Sequence, residues 1–298
     1  MKKLPPLTVA LLLLCAFVAR ADDDKKPANK DAGQPTVETI KDVAYYEGKD
    51  ADPVRHKLDL YLPKGQKDFP VLLFVHGGTW KSGKKDLYGA LGEVFARNGV
   101  GTVIINYRLS PAVQHPGHEQ DVARAFAWTV RNIAKYGGNP DQIFISGHSA
   151  GGHLVALLAT ADSYLAAEKL GLDKIKGVIA ISGVYVIGGT RLNQAFGEDP
   201  KVHEEASPLR HVKAGLPPFL IVYGDKDFAG LDKLAESMGK ALKDAKDPVT
   251  VMKIDDRDHY TIIRSMVKED DPVTQAALQF ISRLSGLKLK DGGKAGNK

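Results

Sequence analysis

"IFISGHSAGGHLVALLA", Ile143 to Ala159, decides the fold. It opens as a short apolar run suited to a buried strand and closes as an apolar helix, with small residues, two histidines and one serine between them. Gly147 and Gly151 stand two residues either side of Ser149, where a Cβ would collide in a sharp strand-to-helix turn. Such a turn strains the serine backbone, lifts the hydroxyl clear of the sheet, and aims the N–H of Ala150 toward a bound oxygen at a helix N-terminus. A G-x-S-x-G string alone is weak. After a buried strand and before an apolar helix, it marks Ser149 as a nucleophile candidate in preference to a turn residue.

The chain around it repeats the same alternation. "HKLDLYLP" (56–63) has the period of a half-buried strand, and an earlier strand near 37–46 is placed to pair with it. "PVLLFVHG" (70–77), "GVGTVIINY" (99–107), "DQIFISG" (141–147), "KGVIAISG" (176–183), "PPFLIVYG" (217–224) and "VTVMKID" (249–255) are apolar runs edged by Gly, Pro or Asp, as in parallel strands covered on both faces. Helical segments are expected near 85–97, 118–136, 149–161, 229–245 and 272–285. This predicts one α/β domain over 36–286: a mostly parallel sheet with antiparallel strands at its start and helices on both faces. The stretch 184–215 is too long for a plain connection and reads as a short cap-like insertion at the sheet's carboxyl edge, where ligands sit in open α/β sheets.

The 298 residues are 43% hydrophobic and 26% charged, which is ordinary globular composition. A formal net charge of +5 invites a nucleic-acid reading. However, Lys2 and Lys3, the apolar run Leu7 to Val18 and Ala19-Arg20-Ala21 together describe a secretory signal peptide over 1–21. Its removal takes three of the 41 basic residues and none of the 36 acidic ones, which leaves about +2 and no basic-aromatic stripe. The one cysteine, Cys15, lies inside that segment, so a cysteine nucleophile and thiolate metal sites are excluded from the mature chain. Residues 22–35 read as a disordered linker and 287–298 as a flexible basic tail. The expectation is an exported protein, periplasmic or secreted, with no stable membrane insertion after cleavage and no nucleic-acid partner. An uncleaved N-terminal anchor is the alternative.

A serine hydroxyl needs a base, and the base needs an orienting acid. In this architecture the order is Ser, acid, His, with the acid after a late strand and the histidine after the last one. "FLIVYG" runs into Asp225-Lys226-Asp227, and "VMKIDDRDHYTII" presents His259 just beyond the final strand. His259 is therefore the expected general base. Asp227 is preferred to Asp225 as its orienter because it lies deeper in the turn toward the next helix. Asp258 is assigned as a solvated turn residue. The loop "HGGTW" (76–80) follows an earlier strand and offers backbone donors for an oxyanion beside Ala150. His148 is expected to pack under the turn and His153 to satisfy a local hydrogen bond. Glu119 and Asp121 should serve the N-terminus of their own helix, and Arg108 should brace loops near the site. His115 and His118, separated by Pro116 and Gly117, cannot share a helical metal-binding face.

"HGGTWKSGKKD", "VIINYRLSP", "HPGHEQDVARAFAWTVRNIAKYGGNPDQIFISGHSAGGHL", "ASPLRHV" and "DRDHYTII", in that order over most of 70–265, resemble the esterase branch of the α/β-hydrolases. That branch holds hormone-sensitive-lipase-like carboxylesterases, feruloyl-esterase-type enzymes, prenylcysteine methylesterases and kynurenine formamidases. The resemblance implies Ser149 as nucleophile, Asp227 as acid and His259 as base. It implies an oxyanion hole at the backbones of Gly78, Thr79 and Ala150. Many relatives have a third glycine where this chain has Thr79, which argues against crowded tertiary-alcohol esters. Trp80 matches the H-G-G-x-W form and is assigned to stack on substrate near the hole, with core packing as its equal alternative. The implied function is an exported serine carboxylesterase acting on small-molecule esters, with no cofactor and no metal. The alternatives are an arylformamidase and, outside enzymes, an inactive hydrolase-fold binding module.

Overall fold

A computed structural model describes residues 36–289. The segments read as signal peptide (1–21) and linker (22–35), with residues 290–298 of the tail, lie outside the described residues. Eight strands run β1 (Val37–Ala44), β2 (Lys57–Pro63), β3 (Phe69–Val75), β4 (Gly101–Ile105), β5 (Gly138–His148), β6 (Ile175–Ile181), β7 (Phe219–Lys226) and β8 (Val249–Asp258). The helices are α1 (Gly89–Arg97), α2 (Gly117–Asn132), α3 (Ala150–Thr160), α4 (Ser163–Ala167), α5 (Asn193–Phe196), α6 (Pro200–Glu205), α7 (Leu231–Asp244), α8 (Thr261–Arg264) and α9 (Pro272–Ser285). None of them is long and apolar enough to cross a membrane.

The strands form one sheet in the order β1-β2-β4-β3-β5-β6-β7-β8. β1 pairs antiparallel with β2, and β2 with β4; every later pair is parallel. The mostly parallel sheet with an antiparallel start that the alternating runs predict is present, in the arrangement that the resemblance to α/β-hydrolases implies. Continuous apolar strands divide by their period of two between two cores. Val71, Leu73, Val103, Ile145, Val178 and Ile221 face one core, which α2, α3 and α7 cover with Val122, Leu154 and Met238. Leu72, Phe74, Ile104, Phe144, Ile179 and Val222 face the other, which α1 and α9 cover with Phe95, Ala277 and Ile281.

This order brings the carboxyl ends of β3, β5, β6, β7 and β8 side by side along one sheet edge. Every residue of α3 is buried, so the helix that begins just after Ser149 is anchored along its length. The 184–215 segment carries α5 and α6, and it packs back onto α3 and the loop before α2. His153 Nε2 donates to the Ala206 carbonyl at 2.7 Å, and the Gln114 amide donates to the Asn193 carbonyl at 3.3 Å.

Candidate active site

Ser149 adopts φ 56°, ψ −117°, in the left-handed half of the backbone map that a Cβ disfavours. Its neighbours explain why the turn closes so tightly. A Cβ at Gly147 would run into the Gly151 carbonyl, and a Cβ at Gly151 into the Val75 carbonyl of β3. The Ser149 N–H donates to the Ile181 carbonyl at 2.9 Å, which ties the turn to the end of β6.

His259 directly follows β8, two strands (β7 and β6) away from β5 and the serine turn. Its Nε2 lies 2.9 Å from Ser149 Oγ and its Nδ1 lies 2.6 Å from Asp227 Oδ1. A carboxylate only accepts, so Nδ1 carries the proton and Nε2 faces the serine hydroxyl as acceptor. The Asp227 side chain is almost fully buried. Burial pushes its carboxyl up, but hydrogen bonds from His259, Ser182 and the Phe228 N–H outweigh burial and hold it below the usual range, as the carboxylate. Ser182 Oγ donates to Oδ2 at 2.5 Å and the Phe228 N–H to Oδ1 at 2.8 Å. Asp225 instead accepts the Arg257 N–H at 3.1 Å and is exposed. Asp258 caps the next turn through the N–H groups of Tyr260 and Thr261, at 2.9 and 2.7 Å.

The HGGTW loop sits against the elbow. A Cβ at Gly77 would stand 3.2 Å from Ser149 Cβ and 2.8 Å from the His148 carbonyl, so only a glycine lets the loop approach this closely. The Gly77 carbonyl accepts from His76 Nδ1 at 2.8 Å. The Gly78 carbonyl accepts from the N–H groups of Lys81 and Ser82, both at 3.0 Å. A trans peptide opposes its C=O and N–H, so anchoring these two carbonyls inside the loop turns the N–H groups of Gly78 and Thr79 outward. Ala150 opens α3, where the N–H has no intrahelical acceptor. Gly78 and Thr79 line a cleft of about 520 Å³ together with Ser149 and His259.

Trp80 stands elsewhere. Its indole is buried at 2% exposure, edge-on to His153 and Phe196 at 5.1 and 4.8 Å, and it is not among the cleft-lining residues. The indole is part of the apolar core, so the substrate-stacking assignment gives way to its alternative, core packing. None of the residues of 184–215 lines the cleft. The walls come instead from Leu87, Tyr88 and Leu91 on one side and Phe228, Tyr260, Ile263 and Val267 on the other. Phe228 stacks on the His259 ring with centroids 4.1 Å apart.

Four residues take places in the structure that the sequence did not specify. His148 is buried, and its Nε2 donates to the His259 carbonyl at 2.8 Å. Burial first, and then the charge of the neighbouring His259, push its pKa down to about 3, so it is a neutral donor. Ser182 braces the acid, a role that follows from β6 lying between β5 and β7. Asp121 leaves its own helix end and accepts from Arg108 at 2.8 Å and from His56 at 2.9 Å. Glu119 is likewise buried, with both oxygens unpartnered, and burial raises its carboxyl well above the usual range. Neither acid serves the helix N-terminus as expected: Asp121 is committed to Arg108 and His56, and burial of Glu119 within the first turn of α2 disfavours the charge that the role needs. Among the described residues, no group of three or more His, Cys, Asp or Glu is placed to hold a metal ion.

The family described as BD-FAE matches residues 58–185. The chain is similar to esterase LipQ of Mycobacterium tuberculosis (strain ATCC 25618 / H37Rv), 33% identical over 195 residues, covering 59% of this chain and 46% of that protein. It spans about half the length of that esterase and of a second mycobacterial one, LipC. It is also similar to the kynurenine formamidase of Danio rerio, 26% identical over 277 residues, covering 89% of this chain and 90% of that one. A truncated carbohydrate esterase from gut microbiota superposes with a TM-score of 0.72 at 22% identity, over 88% of this chain and all of that one.

Proposed function

We propose that the chain is an exported serine carboxylesterase of the esterase branch of the α/β-hydrolase superfamily, working through an acyl-enzyme. The observation that carries the proposal is the unbroken hydrogen-bonded chain from Ser149 through His259 to Asp227, at 2.9 and 2.6 Å, at the floor of an open cleft.

Chemistry follows from the order of that chain. Ser149 Oγ attacks the ester carbonyl as its proton passes to His259 Nε2. The Asp227 carboxylate stabilises the imidazolium that forms. Negative charge gathers on the carbonyl oxygen, where the N–H groups of Ala150, Gly78 and Thr79 are candidate donors, each such donor being worth about 3–4 kcal/mol in a preorganised hole. Collapse expels the alcohol with the proton from His259 and leaves the acyl group on Ser149. Water, activated by the same imidazole, then attacks the acyl-enzyme and regenerates the serine. No step calls for a cofactor.

A fluorophosphonate probe and short p-nitrophenyl esters test this reading. Wild type should label at Ser149 and turn the esters over, whereas Ser149→Ala should lose labelling and about four orders of magnitude of rate. Full activity in Ser149→Ala would sink it. N-formylkynurenine belongs in the same panel, because similarity to a formamidase extends over nearly the whole of that protein. Preference for the formamide over every ester would replace the substrate class while keeping the mechanism. Export is supported by the signal-like sequence of 1–21. Expressed with its native N-terminus in a bacterial host, the protein should be recovered outside the cytoplasm beginning at Asp22. Recovery with Met1 retained would contradict cleavage.

A further inference from the structure

The cleft has one feature that ester hydrolysis does not require. Its lining is made of Gly, Ser, Thr, Leu, Ile, Val, Phe, Tyr and His residues with a single exception, Arg264. Four of the large hydrophobic side chains that the protein leaves exposed, Leu87, Phe228, Tyr260 and Val267, also line this cleft. Apolar groups held in water around a nucleophile candidate mark a surface built to be covered by ligand. Arg264 stands among them as a permanent positive charge, with its guanidinium 5.6 Å from the centre of the Tyr260 ring. Among the described residues it has no ion pair, and no side-chain hydrogen bond engages its guanidinium. The nearby Asp258 carboxylate is instead committed to the N–H groups and hydroxyl of its own turn.

We propose that Arg264 is an anion-recognising element of the cleft, selecting esters that carry a carboxylate on the part of the substrate that fills the apolar walls. The inference rests on the esterase reading and deepens it by naming a substrate class. Its physical basis is the fit of a planar guanidinium to a carboxylate, two parallel N–H donors to two oxygens. Apolar walls on both sides exclude water from that pair when substrate is bound and strengthen it. The competing account is that Arg264 is a solvated cation at the carboxyl end of the short helix α8, where positive charge suits the helix dipole. The two accounts differ in one measurable respect, because a dipole-complementing arginine does not affect which ester is hydrolysed.

The test uses matched pairs that differ in charge and little in shape. 4-Acetoxybenzoate against 4-acetoxybenzamide puts the charge on the alcohol side. Monophenyl adipate against the phenyl ester of adipic monoamide puts it on the acyl side. Each kcat/KM is divided by that ester's alkaline hydrolysis rate and measured for wild type, Arg264→Gln and Arg264→Lys. Wild type should favour the anionic member of at least one pair by about tenfold, the scale of one partly exposed charge-assisted hydrogen-bonded pair. Arg264→Gln should abolish that preference, so that the anionic and neutral members of the pair become equal after normalisation, Arg264→Lys should retain part of it, and added salt should erode it in wild type. Neutral esters hydrolysed at full rate, with no charge preference or with a preference that survives Arg264→Gln, would overturn this inference and leave the esterase reading intact. A folded protein that hydrolyses neither the anionic nor the neutral member of either pair fails the esterase reading itself, and the inference falls with it.

Discussion

Replacing Asp227 by Asn changes charge with almost no change in shape, and the structure gives the size of the effect. Asp227 Oδ1 accepts from both His259 Nδ1 and the Phe228 N–H, at 2.6 and 2.8 Å. An asparagine with its amide oxygen in that place keeps both bonds, and its NH₂ group then faces Ser182 Oγ, which can turn to accept. The imidazole tautomer therefore survives, and only the negative charge beside the imidazolium is lost. For unit charges ~4 Å apart at an effective dielectric near 20, that charge is worth about 4 kcal/mol. At 1.36 kcal/mol per decade, kcat/KM should fall by about 10³. This is less than the roughly 10⁴ loss expected where the tautomer also inverts. The assay is p-nitrophenyl butyrate hydrolysis near neutral pH, with a thermal melt to show that the fold is kept. Asp225→Asn is the internal control and should stay within about twofold, since an exposed carboxylate on one backbone N–H contributes little. A loss under about tenfold in Asp227→Asn, or an equal loss in Asp225→Asn, would refute the assignment of the acid.

Other consequences concern stability. Lys85 is buried at 2% exposure and donates to Asp59 at 2.8 Å and to Asp42 at 2.6 Å. Lys85→Met strands the buried Asp59 charge and should cost about 3–5 kcal/mol, read as a fall in Tm of roughly 6–20 °C by calorimetry; an unchanged Tm contradicts the pairing. Gly151→Ala drives a Cβ into the Val75 backbone, which cannot yield as a side chain would. It should lower Tm by about 4–8 °C, for a strain of about 2 kcal/mol, and reduce ester turnover as the elbow opens. For Asp121, burial raises the carboxyl, but hydrogen bonds from His56 and Arg108 more than offset it and hold it below its ordinary value of 3.8. Its stabilisation is therefore complete above that value and is lost as pH falls through the depressed one. Urea midpoints measured across the acid range should decline more steeply for wild type than for Asp121→Asn, and parallel curves would remove Asp121 from the account.

Strands were legible because burial on both faces leaves little choice but apolar residues, and runs such as "VLLFV" and "VIAIS" are hard to read otherwise. The elbow was legible because its signature is local: Gly147 and Gly151 stand two residues either side of Ser149, even though the clash that Gly151 avoids is with Val75 of β3. Asp227 and His259 follow the ends of β7 and β8, so chain order was enough to nominate them. Ser182 was not visible, since its role exists only because strand order places β6 between the elbow and the acid. The hydrogen bond from His148 to the His259 carbonyl crosses 111 positions of sequence and leaves no local pattern. Helices α5, α6 and α8 are too short to show a helical period, so 184–215 read as an unspecified excursion. Trp80 offered two readings because an H-G-G-x-W string does not reveal which way the indole turns. Packing against Phe196, more than a hundred residues away, decides that direction.

The left-handed backbone at Ser149 separates what favours folding from what favours turnover. A residue with a Cβ in such a conformation carries about 1–3 kcal/mol of strain, which glycine escapes. Selection for expression yield alone therefore acts against the nucleophile candidate. In a library of this chain sorted only for folded protein, glycine should spread through position 149, and its carriers should melt higher and hydrolyse nothing. Serine persists there only under selection for chemistry.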